Sequence, residues 1–69
     1  MSFSELVFYE GNGFTCFRCV DRLTQNQMIY GNNETGNFRV KNHKDISGIR
    51  RIELENYVNK EATKRGITI

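Results

Sequence analysis

The 69-residue sequence contains no proline and no tryptophan, a single histidine and only two cysteines. Each scarcity excludes something. Without proline or a Ser/Gly-rich tract there is no linker at which to divide so short a chain, so one domain spanning 1–69 is expected. Cys16 and Cys19 with His43 do not supply four zinc ligands, and a second Cys-x-x-Cys pair is missing, so neither metal nor cofactor is expected. One histidine and no nucleophile elbow leave no serine- or cysteine-hydrolase set. Gly11-Asn12-Gly13 lies between two β-rich runs and lacks the lysine and helix of a phosphate-cradling loop. No window approaches ~18 uninterrupted apolar residues, and the opening Met1-Ser2-Phe3-Ser4-Glu5 has no basic start before an apolar run. These features lead us to expect a cytoplasmic protein without a membrane partner. The Asn33-Glu34-Thr35 sequon then reads as part of a polar loop. The expected function is binding rather than catalysis.

What is present argues for a folded chain. Hydrophobic residues make up 38% of the sequence and aromatic residues 12%, interleaved with charge, which is too apolar for a disordered, solvating segment. Ordering costs on the order of 1.5 kcal/mol per residue, roughly what so small a core returns. Stability is therefore expected to be slender or helped by self-association, and a homodimer is among the expected partners.

Two β-rich runs, Ser4 to Glu10 and Phe14 to Val20, flank the glycine-asparagine-glycine turn and predict a β-hairpin. A Gly11-Asn12 loop would pair Tyr9 with Phe14, Val7 with Cys16, Glu5 with Arg18 and Phe3 with Val20; loops using Gly13 are the alternatives. In the preferred register the other face shows Leu6, Phe8, Phe17 and Cys19, so both hairpin faces are apolar and one is free to meet a partner. Leu6, Phe8 and Phe17 are the partner-binding candidates. Met28 to Tyr30 and Phe38 to Val40 read as further short strands around the polar loop 31–37.

From Asp45 onward the period changes. Leu54, Tyr57, Val58 and Ala62 make one helical stripe, Lys60, Lys64 and Arg65 load its last turns, and Gly66 supplies the stop. Ile46, Ile49 and Ile52 form a second stripe, which implies either a preceding short turn or a longer helix buried on two sides. The expected architecture is α+β: an antiparallel meander of three or four strands that begins with the hairpin, followed by one C-terminal helix packed on the sheet.

Two chemistries deserve weighing. On a regular strand Cys16 and Cys19 have Cα atoms ~10 Å apart and point to opposite faces, too far for a disulfide; two core thiols are expected. His43 is the one residue able to centre a minor alternative, a small ribonuclease or toxin, with Arg39, Lys41 or Arg50 on the phosphate and Glu53 as second acid or base.

Charge is uneven. Residues 1 to 21 hold Glu5, Glu10 and Asp21 against Arg18 alone, so the positive excess of the +2 chain lies beyond them. Arg39, Lys41, Lys44, Arg50 and Arg51 cluster with only Asp45 opposing them, and are the nucleic-acid-binding candidates, with Tyr30 or Phe38 available to stack on a base. A small antiparallel sheet followed by one helix resembles integrase-type and AP2-like DNA-binding domains, which lay the sheet in the major groove. Two partner classes follow: nucleic acid or a nucleic-acid-handling protein complex, met through the basic segment; alternatively a protein target, met through the apolar hairpin face by an inhibitor or adaptor of the kind mobile elements encode.

Overall fold

The computed structural model describes residues 2–11, 13–23, 26–34, 36–41 and 46–67, and the structural statements below concern those residues. Four strands, β1 (Phe3–Gly11), β2 (Phe14–Asp21), β3 (Gln27–Asn32) and β4 (Arg39–Val40), precede one helix, α1 (Gly48–Lys64). The strands form one sheet in the order β1-β2-β3-β4, every neighbouring pair antiparallel. This is the expected α+β meander with its C-terminal helix packed on the sheet.

The hairpin register differs from the preferred one. Gly11 pairs with Phe14, Tyr9 with Cys16 and Val7 with Arg18, so the loop is positions 12 and 13, with Gly13 at φ +83°. Glycine adopts this left-handed conformation without the Cβ penalty other residues incur. Further along, Ser4 pairs with Val20 and Phe3 with Asp21, a shift that marks a β-bulge. Glu5 carries it with φ 54°. Two residues there stand against one, which reverses the alternation of β1. Phe3, Leu6 and Phe8 consequently face the same side although their spacing is three and then two.

That side is the core. Phe3, Leu6, Phe17, Cys19, Ile29 and Val40 of the strands, with Phe38 just before β4, meet Leu54, Val58 and Ala62 of α1, and Phe8, Ile46, Tyr57 and Ile67 pack around them. The Phe38 ring lies 5.2 Å from Phe8 and 6.0 Å from Phe17, and Phe3 stacks on Tyr57 at 5.5 Å. The helix begins at Ser47, whose hydroxyl accepts the Arg50 amide, and its C-terminal turn is followed by Gly66 at φ +73°. Ile49 and Ile52 sit on its outer side, 76% and 53% exposed. The helix is thus buried along one stripe, and of the second stripe only Ile46 reaches the core.

Two details fix β3 and β4. At Gly31 a Cβ would collide with the Arg39 carbonyl oxygen and the Phe17 ring, so only glycine lets this ring lie across the strand. On the outer edge of β4, Asn59 takes the Phe38 amide (2.9 Å) and donates to its carbonyl (3.3 Å), while Glu55 accepts the Val40 amide (3.0 Å). Two side chains one helical turn apart thereby occupy the hydrogen-bonding positions of a fifth strand. Among the described residues no helix is long and apolar enough to cross a membrane.

Candidate functional site: the open face of the sheet

With α1 on one side, the other side of the sheet has no cover from the described chain. Pairing sets its side chains in rows. One row runs Tyr9, Cys16, Asn32 and Arg39 across β1 to β4. The next runs Val7, Arg18 and Tyr30, continued by Lys41, whose amide donates to the Tyr30 carbonyl at 2.8 Å. A third holds Ser4, Val20 and Met28. Tyr9 is 43% exposed and Tyr30 44%, so each presents about half its surface to solvent. Val7 and Met28 are exposed beside the buried Val20.

The charge within these three rows has one sign. Arg18 stands between the two tyrosines with no carboxylate among the described residues paired to it. Arg22, whose guanidinium donates to the Ser4 hydroxyl at 2.8 Å, adds a cation at the end of the third row. No strand position in the three rows is acidic. Lys41 meets Glu34 at 3.5 Å and Arg39 meets Glu55 at 3.9 Å. Both cations are about half exposed; the Lys41–Glu34 pair is exposed on both sides and contributes about 0–1 kcal/mol, so a phosphate can displace that carboxylate at little cost, whereas Glu55 is buried and stays with β4.

The basic segment divides on folding. Arg39 and Lys41 come to the rim of the open face, whereas Arg50 and Arg51 belong to α1. Arg50 is 8% exposed, bonded in two places to the fully buried Asp21 (2.9 and 3.3 Å) and to Glu53 at 3.0 Å, and its guanidinium lies 4.0 Å over the Phe3 ring. The hydrogen bond to Asp21 raises its pKa further. It is a structural cation and is corrected out of the nucleic-acid set. Arg51 pairs with Glu55 at 3.5 Å along the helix. Lys44 and His43 lie outside the described residues.

The partner-binding expectation also changes. Leu6 and Phe17 are buried and Phe8 packs against the core, because the helix covers precisely the face they share once the bulge brings Phe3 round to join them. Phe38 is fully buried as well, so of the two stacking candidates Tyr30 alone is on the open face. Sequence reasoning missed Tyr9, Arg18, Val7 and Met28 as a group. Strand alternation sets Tyr9, Val7 and Arg18 on one face in either register; what it does not tell is that the helix covers the other.

The thiols separate as strand geometry requires. Cys19 is buried with its Sγ 3.4 Å from the Ser4 carbonyl, and burial pushes it up to about 11. Cys16 is half-buried on the open side, 3.7 Å from the carbonyls of Gly11 and Phe14, so only one thiol belongs to the core. Among the described residues no group of three metal-ligating side chains converges. A cleft of about 320 Å³ between β4 and α1 is lined by Asn37, Phe38, Arg39, Glu55, Asn56 and Asn59, but its Glu55 and Asn59 are engaged in holding β4. No family model, curated protein or solved structure matches this chain.

Proposed function

We propose that this domain binds nucleic acid through the open face of its sheet rather than through a continuous basic segment. The observation that carries the reading is the combination of two half-exposed tyrosines with Arg18, Arg39 and Lys41 on a face whose strand rows hold no acid. Cations of this kind neutralise phosphates, and tyrosine rings offer a flat surface to a base. The test is retention of labelled oligonucleotide across a salt series. Affinity should fall steeply, with a log-log slope of about −0.7 for each phosphate neutralised on a single strand. The doubly reversed variant R18E/K41E should lose binding while keeping its circular dichroism. Retention that ignores salt, or survives in that variant, counts against the proposal.

A second reading is favoured by the exposed Val7 between Tyr9 and Tyr30 on the same face: docking of a protein by an inhibitor or adaptor, since apolar surface open to solvent marks interfaces. Affinity capture from the native cell with and without nuclease separates the two, because a partner held by protein contacts alone survives digestion.

A further inference from the structure

Resting on the nucleic-acid reading, we infer that the ligand is a single strand, lying across the sheet with unstacked bases on Tyr9 and Tyr30 and its backbone passing Arg18 towards Lys41. Tyr9 is on β1 and Tyr30 on β3, two strands apart and one row out of line. Strand spacing and residue rise place their attachment points about 12 Å from each other. Bases in a duplex follow one another every 3.4 Å along a strand, with their faces hidden in the stack. Two bases seated on these rings therefore cannot be stacked neighbours, and the strand between them must be drawn out. Arg18 occupies the interval on β2, in register with Val7 and Tyr30, where a backbone phosphate would cross.

Width argues the same way. The B-form major groove is about 12 Å across, whereas this platform distributes its tyrosines and cations over four strands, about 14 Å from first to last. A single strand needs no groove. Its bases present free faces to aromatic side chains, and its phosphates meet cations one at a time.

The chain reports on this directly, having three tyrosines and no tryptophan. Tyr57 is stacked on Phe3 beneath the helix and serves as an internal reference for the two surface rings. Titration of the full chain with oligothymidylate or oligouridylate should quench tyrosine fluorescence, a preference for one of them assigning DNA or RNA. Y9A and Y30A should each lower affinity about 5- to 150-fold, and Y30F should restore it. Comparison ligands are a duplex and an abasic sugar-phosphate strand of equal length. Abasic binding as tight as oligothymidylate binding, or preference for the duplex, overturns the stacked single strand while leaving nucleic-acid binding intact. Absence of salt-sensitive binding to every ligand overturns both.

Discussion

Arg50 stands in the middle of the positively charged stretch yet is held like a core residue, its guanidinium enclosed by Asp21, Glu53 and the Phe3 ring. Removing it would take from the fully buried Asp21 the guanidinium that holds both its oxygens. Arg50→Ala should therefore cost about 3–5 kcal/mol in urea unfolding, against within about 0.5 kcal/mol for Arg51→Ala, whose pair is partly solvated. Nothing local in the sequence separates these adjacent arginines: the partner that decides between them is 29 residues away. Cys19 gives a second residue-scale expectation. Its folded pKa of about 11 is above the 9.0 of an unburied thiol, so the folded state favours the neutral thiol and the unfolded state releases the proton first. That contribution is complete below about pH 9 and is lost as pH rises towards 11. Urea midpoints measured across this window should fall, and should fall less in Cys19→Ala.

At the scale of elements, the helix was readable because its signal is local: Leu54, Val58 and Ala62 recur on one stripe and all are buried. The hairpin was readable as a hairpin but not in its register, since the bulge rests on Glu5 at φ 54°, a conformation usually announced by glycine. Both registers leave Leu6, Phe8 and Phe17 on one face and Val7, Tyr9 and Arg18 on the other; which face is open was decided by where α1 packs, a long-range choice that no local pattern announces. The short β4 depends most on neighbours. Gly31→Ala should cost on the order of 1–3 kcal/mol or more by forcing Phe17 and the Arg39 backbone apart. Asn59→Ala should cost about 1–3 kcal/mol by leaving the Phe38 amide and carbonyl unsatisfied, and hydrogen exchange should show the loss first at the β4 amides.

For the molecule as a whole, one apolar cluster joins all four strands to the helix, and Asp21–Arg50 fastens the far end of β2 to the first turns of α1. Sheet and helix should melt together, so far-UV circular dichroism and tyrosine fluorescence should trace the same unfolding curve; separate midpoints would show that the helix detaches from a surviving sheet. The open face draws on residues from every strand, and so exists only in the folded chain. A last consequence concerns growth by strand addition. Asn59 and Glu55 seal β4, so among the described residues β1 is the edge with backbone groups to offer. Two copies joined β1 to β1 about a twofold axis would exhaust those edges, so such pairing stops at a dimer and cannot propagate into a fibre.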